Sequence, residues 1–432
     1  MNENHYNITI IGAGAAGLFA AIHAADAAPH LNIALLDSAK SPGTKILVSG
    51  GGRCNVTNKS VTPKDYNAPS TNAVKKILKS FTVKQTINIF DQLGVKLKTE
   101  PTGKLFPTSD SARTVLDALL REVNRLPNLT LLANHRVTSI SRLDGNAMFR
   151  ISTIQKPITT ERIILCSGGK SLPKSGSDGF GYELAKSLGH TVTPTSPALV
   201  PLTYHDPSHY LTKLTGIAID TPLTLSPQNG KPRSFPIKSL LFTHFGISGP
   251  AAMDLSRHFL ILAQNTPDQS PTLTANLLAA DHPDLANFDA LEQHLLSIAQ
   301  SSPKRAISSH LKHLLPSNRL AEILLDKHLG IPHDTKLTHL TRDDRRALAH
   351  TLLALDLPIH THRGWNYAEV TAGGIPLTEL HLNTMESRIN PDLYLAGEIL
   401  DVDGRIGGFN FQFAWNTGRL AGLAAANSFN NL

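Results

Sequence analysis

The stretch Ile8-Thr9-Ile10-Ile11-Gly12-Ala13-Gly14-Ala15-Ala16-Gly17-Leu18-Phe19-Ala20-Ala21-Ile22 decides the fold. A short β-branched run breaks into glycines and resumes as an apolar helix. That is G-x-G-x-x-G set between a buried strand and a helix, the context that gives the motif its meaning. Gly12 permits the tight turn, Gly14 lets backbone approach a pyrophosphate, and Gly17 lets the helix pack close to the sheet. Ala15 and Ala16 open the helix, whose first N–H groups are available to phosphates. A second strand, Asn32 to Leu36, ends in Asp37. That carboxylate stands 20 residues beyond Gly17, where it would accept the ribose hydroxyls of an adenine dinucleotide. A glycine-rich turn that binds nothing would not explain why glycines, strand, helix and acid agree in register.

Working outward, 432 residues exceed one compact core and predict two or three domains. Hydrophobic residues at 41% with 17% charged describe an ordinary globular chain and exclude a disordered one. No run approaches the roughly twenty apolar residues of a spanning helix, and the first apolar run lacks the basic start of a signal peptide. Two cysteines, Cys54 and Cys166, make neither a disulfide framework nor a metal cluster, which points to a reducing cytoplasm. The twenty histidines form no ligand set, so no metal is expected; His360 and His362 alternate as on a strand face. A net charge of +7 and a pI near 9.3 permit an acidic partner. The charge reads as thinly spread, its densest cluster (Arg342, Arg345, Arg346) being interrupted by Asp343 and Asp344. Nucleic-acid binding is therefore the minority reading, and no membrane partner is expected.

Periodic Val74, Ile77, Leu78, Phe81, Ile87 and Phe90 predict helices over 72–93. A hairpin is expected over 100–108, turning at Thr102-Gly103, then a helix from 110 to 125 and strands at 129–132, 137–140 and 147–151. Arg162 to Gly169 is a further apolar strand ending in Ser167-Gly168-Gly169, followed by a helix over 183–188. From about 191 to 263, prolines alternate with strand-like runs such as 199–202 and 223–225, which reads as β-rich. Residues 287–357 carry apolar positions at helical spacing, and Thr341 with Asp344 resembles a capping box. The strand Pro391 to Ala396 ends in Gly397-Glu398, and Gly407-Gly408-Phe409-Asn410-Phe411-Gln412 opens a last helix near Phe411.

The segment Ser41-Pro42-Gly43-Thr44-Lys45-Ile46-Leu47-Val48-Ser49-Gly50-Gly51-Gly52-Arg53-Cys54-Asn55-Val56-Thr57-Asn58 carries three consecutive glycines, which are costly to order. It resembles the signature loop of a bacterial flavoprotein family that contains aminoacetone oxidases and a dehydro-bile-acid reductase. The resemblance is strongest over 8–58, 163–189, 241–257 and 366–422. It implies non-covalent FAD, and an α/β fold whose Rossmann-like, two-dinucleotide-binding domain is built from 1–190 and 364–432. An inserted β-barrel-like domain, 191–363, would comprise a β-rich part (191–285) and a small helical subdomain (286–357).

Under this resemblance Lys45, Ser49, Gly50, Gly51, Gly52, Arg53, Cys54 and Asn55 flank the flavin, and Val137 packs by the adenine. Ser167, Gly168 and Gly169 lie along the dinucleotide, and Gly397 and Glu398 support ribityl and phosphate oxygens. Gly408, Phe409, Asn410 and Gln412 would start a helix whose positive end faces the flavin ring. Lys45 is a candidate cation that stabilises reduced flavin or activates oxygen. His244, within Leu241 to Pro250, is a candidate proton carrier because its pKa lies near neutrality.

No second G-x-G-x-x-G follows a strand, so NAD(P)H would visit only transiently. The resulting expectation is an FAD-dependent oxidoreductase acting on a small molecule at the interface of flavin and inserted domains. It would be an amine oxidase with oxygen as acceptor or an enone reductase using NAD(P); the missing nicotinamide domain favours the oxidase. The alternatives are an FAD-dependent RNA-modifying enzyme and a flavin-bound regulatory protein without turnover.

Overall fold

The computed structural model describes residues 4–143, 148–266 and 270–429, so Ala147, where a strand was expected to begin, lies outside the described residues. The chain divides into two compact units, Met1–Pro197 with Ala368–Leu432, and Ala198–Tyr367.

The first unit is built on a parallel sheet in the order Leu393–Leu395, Ile158–Leu165, Asn4–Ile11, Ile33–Leu36, Leu129–Leu132. Ile10 lies opposite Leu35 on one side and Ile164 on the other, and all three are fully buried. The buried runs 8–11, 33–36 and 163–165 suit a sheet covered on both faces. An antiparallel pair, Val137–Arg142 with Phe149–Thr153, continues from the first half of Ile158–Leu165. Gly12, Asp37, Cys166 and Ala396 all follow directly on the carboxyl ends of parallel strands, where α/β sheets bind their ligands.

The first helix, Ala15–Ala27, packs against the C-terminal helix, Phe409–Asn427. A Cβ on Gly418 would stand 2.2 Å from the Ala16 carbonyl oxygen, and one on Gly422 would stand 2.3 Å from that of Ala20. The two helices therefore lie backbone against backbone. Beside them Trp415 is fully buried, its ring 4.5 Å from Phe19, and its Nε1–H donates to the Val56 carbonyl at 2.9 Å.

The helices expected over 72–93 are present. Helices Thr71–Ser80 and Val83–Gln92 are separate. Thr82 explains the break: its N–H donates to Gln85 Oε1 at 2.8 Å in a capping box that starts a new helix. The hairpin pairs Leu97–Thr99 with Lys104–Pro107, so Glu100 begins the turn and not the strand; Gly103 N–H donates back to its carbonyl at 2.8 Å.

The second unit holds antiparallel sheets of five and four strands, with helices including Phe288–Ser301 and Arg342–Leu353. The Thr341–Asp344 capping box is present, with Asp344 N–H donating to Thr341 Oγ1 at 3.1 Å. The β-rich expectation fails over Gly249–Asn265, which is a 17-residue helix. Pro250 lies in its first turn, where the missing N–H leaves no bond unmade, so a residue pair that reads as a break starts a helix. The strand expected at 199–202 begins only at Leu202. Among the described residues no helix is long and apolar enough to cross a membrane.

Helix propensity alone would make Gly418→Ala stabilising by about 1 kcal/mol. The close helix contact reverses that sign: Gly418→Ala is expected to destabilise the protein by roughly 1–3 kcal/mol, the usual cost of overpacking. Thermal or urea unfolding reads the sign directly, and a rise in stability would show that the helices do not approach as described.

Candidate flavin site

The phosphate end of the site is the glycine turn. Gly12 has φ +101°, and a Cβ there would stand 2.5 Å from the Cys166 carbonyl oxygen. A Cβ on Gly17 would stand 1.8 Å from the Gly12 carbonyl oxygen, so turn and helix are fitted to one another. Gly14 is the opposite case, with nothing within 4 Å of where its Cβ would be. It is the N-cap of the first helix and no side chain caps that helix. Open space in front of uncapped N–H groups is what a pyrophosphate requires.

Asp37 closes the adenine end in a way the sequence did not suggest. Its Oδ2 accepts from the Ala13 N–H and its Oδ1 from the Ala39 N–H, each at 2.8 Å. Burial pushes its pKa up, and these two hydrogen bonds pull against that shift. The carboxylate thus locks the glycine turn, while each oxygen keeps a lone pair for a ribose hydroxyl. His135 N–H donates to the Asp37 carbonyl at 2.8 Å, which brings the strand of buried Val137 alongside.

The triple-glycine segment is not a simple loop. Thr44–Gly52 begins as a helix; Ser49 leaves it, and Gly50 and Gly51 turn left-handed at φ +57° and +69°. Val48 stays 51% exposed beside them, and nothing lies within 4 Å of a Cβ on Gly51. An exposed aliphatic side chain beside open backbone suits a flat ring. Two residues assigned to this surface from sequence have other partners. Arg53 donates to Glu100 at 2.6 Å and lies over the Phe106 ring at 4.0 Å. Cys54 is wholly buried with its thiol pKa pushed up to about 12, and burial raises that of Cys166 as well. Neither thiol is poised for covalent chemistry.

Lys45 and Glu398 form an ion pair within this unit. Lys45 also donates to Ser171 Oγ at 2.5 Å. Glu398 Oε1 accepts from Ser171 Oγ at 2.6 Å and from both the N–H and Oγ1 of Thr371 at 3.0 Å. Gly169 makes room for this cluster, since a Cβ there would stand 2.3 Å from Thr371 Oγ1. Ser171 and Thr371 were missed in the sequence because no local pattern marks them. Ser167 Oγ is buried beneath Gly181 and has no partner among the described residues; Gly168 turns left-handed.

At the far end of the chain Gly408 is the left-handed N-cap of the C-terminal helix, again without a side-chain cap. Oriented to satisfy both neighbours, the Asn55 amide accepts from Gly408 N–H and donates to the Thr57 carbonyl, each at 2.9 Å. The helix expected to begin near Phe411 begins at Phe409. Three side chains assigned to the cofactor from sequence are engaged inside the protein. Gln412 fills all four of its amide bonds inside the protein, with Thr57, Thr86, Asn416 and the Phe81 carbonyl. Asn410 clamps both the N–H and the carbonyl of Gly404. Phe409 is fully buried against Tyr66. Gly397 N–H donates to Thr417 Oγ1 at 3.0 Å.

His244 belongs to the second unit. It is exposed at the tip of a hairpin that Thr243 Oγ1 closes by donating to the Gly246 carbonyl at 2.9 Å. Among the described residues no group of three or more His, Cys, Asp or Glu could hold a metal.

Two uncapped helix starts from opposite ends of the chain, one before an open phosphate path and one beside exposed apolar backbone, suit a dinucleotide that carries a ring system. The class is an FAD-dependent Rossmann oxidoreductase. Within it the chain belongs to the HI0933-like protein Rossmann domain family, which matches residues 6–424. A ribosomal RNA dihydrouridine synthase of Escherichia coli is 35% identical over 413 residues, covering 95% of this chain and 96% of its own. One of Haemophilus influenzae is 32% identical over 426 residues, covering 98% and 99%. A 3-dehydro-bile acid delta(4,6)-reductase of Clostridium scindens is 31% identical over 438 residues, covering 97% and 98%. Among solved structures, a quinol-fumarate reductase with menaquinol molecules shares the fold at TM-score 0.51 and 17% identity, over 99% of this chain and 72% of that one. Mycobacterium smegmatis Sdh1 does so at TM-score 0.50 and 15% identity, over 100% and 70%.

Gly14→Val is expected to leave the fold intact and abolish flavin content, because a branched side chain would fill the pyrophosphate's path. Acid precipitation of the wild type is expected to release all the colour. A yellow pellet, or a flavin-replete Gly14→Val variant, would contradict this placement.

Proposed function

We propose that this protein adds hydrogen across a carbon–carbon double bond conjugated to a carbonyl, and that its substrate is uridine in ribosomal RNA. The observation that carries the reading is the chemistry shared by the names of three relatives aligned along nearly their whole length. Making dihydrouridine saturates the C5=C6 bond of uracil, which is conjugated to the C4 carbonyl. A Δ4,6 reductase acting on a 3-dehydro steroid does the same to an enone. In uridine the hydride goes to C6 and a proton to C5, with NAD(P)H as the proposed electron source.

Bound FAD supplies hydride exchange. The chain's own residues supply charge and orientation. Hydride addition pushes negative charge onto the conjugated carbonyl, and fixed positive groups lower that cost. Lys45 is such a group: Glu398 and Ser171 take two of its three N–H donors, leaving one for the site. The uncapped start of the C-terminal helix adds partial positive charge. The relatives' names support reduction over amine oxidation, which was the preferred expectation from the sequence. The relative from Clostridium scindens supports a second reading, reduction of a small-molecule enone.

The test is nucleoside mass spectrometry of ribosomal RNA from a deletion strain, before and after treatment with the FAD-loaded protein and NAD(P)H. Dihydrouridine is expected to be absent beforehand and restored afterwards. No dihydrouridine together with rapid flavin reoxidation by an enone would select the small-molecule reading. Oxygen consumption with aminoacetone would select the oxidase. Lys45→Met is expected to keep normal FAD content and slow the substrate-dependent redox step tenfold or more, within or near the range of electrostatic catalytic contributions. Unchanged kinetics would remove Lys45 from the mechanism.

A further inference from the structure

The formal charge of +7 is not evenly distributed along the chain. Residues 53–125 hold thirteen Lys and Arg against six Asp and Glu, which accounts for the whole excess. Part of this is neutralised locally. Arg53 and Lys98 pair with Glu100 and Asp110, and Arg125 pairs with Glu122. The stretch from Lys59 to Lys84 is different. It carries Lys59, Lys64, Lys75, Lys76, Lys79 and Lys84, all exposed, against a single acid. That acid, Asp65, accepts from Arg405 Nε at 2.7 Å. On helix Thr71–Ser80 the buried positions Ala73, Val74 and Ile77 turn Lys75, Lys76 and Lys79 to the outside. Like charges three and four residues apart disfavour a helix, so folding gains nothing from them.

This basic face is fixed to the structure that meets the flavin. Asn58, the residue before Lys59, donates to the Gly407 carbonyl at 3.0 Å. Tyr66, two residues past Lys64, donates to the Phe409 carbonyl at 2.9 Å. Asn416 of the C-terminal helix donates to the carbonyls of Ile77 and Phe81, each at 2.9 Å. The lysines and the helix start assigned to the ring therefore belong to one rigid element. The stretch's two aromatic residues, Tyr66 and Phe81, are buried, so the face offers charge and no stacking surface. Charge without stacking selects a phosphate backbone over bases.

We propose that the exposed lysines from Lys59 to Lys84 form the docking surface for the phosphate backbone of RNA. The proposal rests on the uridine reading for its ligand class. The experiment uses the full-length, FAD-loaded protein carrying Lys75→Gln, Lys76→Gln, Lys79→Gln and Lys84→Gln, since glutamine keeps helix propensity while removing charge. Binding to an in vitro ribosomal RNA transcript is measured across salt concentrations. Affinity at low salt is expected to fall tenfold or more. The slope of log affinity against log salt is expected to drop by about 3, at ~0.7 per lost contact to a single strand. Melting temperature, FAD content and flavin bleaching by NAD(P)H should not change. Equal affinity and slope in variant and wild type would overturn the surface while leaving the uridine reading standing. Failure of the wild type to make dihydrouridine in any ribosomal RNA would overturn the uridine reading; lysine-dependent transcript binding would then still support the surface. Lysine-dependent binding to phosphatidylglycerol vesicles, with none to the transcript, would make the occupant a membrane and overturn the proposal.

Discussion

The flavin domain depends on the approach of Gly418 and Gly422 to the carbonyls of Ala16 and Ala20. One helix comes from the start of the chain and the other from its end, and only residues without side chains allow them this close. The same first helix also receives Gly397, whose Cβ would stand 2.8 Å from that of Ala16. The turn bearing Glu398 and the start of the C-terminal helix are thereby set against the helix that follows the glycine turn. Cores transmit such constraints because they are close-packed and have little room to relax. The long intervening unit adds little to the cost of bringing the ends together, since closure entropy grows only slowly with length.

Around Glu398 the constraint is polar. Oε1 already receives three donors, from Ser171 and Thr371, and Oε2 pairs with Lys45. A carboxylate taken up in this way is less a free acceptor for ribityl hydroxyls than a device for holding Lys45 in one place. Removing one member of a partly buried pair leaves the other charge without its partner, which costs more than the pair contributes. Ser171 and Thr371 are on this view positioning residues, since they fix the carboxylate that fixes the cation.

What the sequence revealed follows from the range of the interactions involved. The glycine turn, the buried strands and Asp37 were legible because strand, turn and helix signals lie within some thirty residues of each other, as in any βαβ unit. The role of Asp37 in locking Ala13 and Ala39 was not, because it depends on where a side chain points. Lys45 was singled out from its neighbours, yet its partner lies 353 residues away and no local pattern connects them. The internal partners of Gln412, Asn410 and Arg53 were hidden for the same reason: a polar residue beside a glycine motif can turn inward as readily as toward a ligand. The helix Gly249–Asn265 was hidden by Pro250, which ends helices in their interior and begins them at the first turn.

The amide latch explains why the basic stretch can be both highly charged and well ordered. Gln412 and Asn416 are almost fully buried, and between them they bind Thr57, Thr86 and the carbonyls at the end of helix Thr71–Ser80. Buried amides contribute little net stability when satisfied, but a displaced helix would strand their donors and acceptors at a cost of about 1–3 kcal/mol each. Such groups therefore specify one arrangement more than they stabilise it. Lysines repelling one another on the outer face disfavour the helix, and burial of Val74, Ile77 and Phe81 together with these bonds holds it in place. The latch fixes the start of the C-terminal helix and the lysine face together, so a change in one displaces the other.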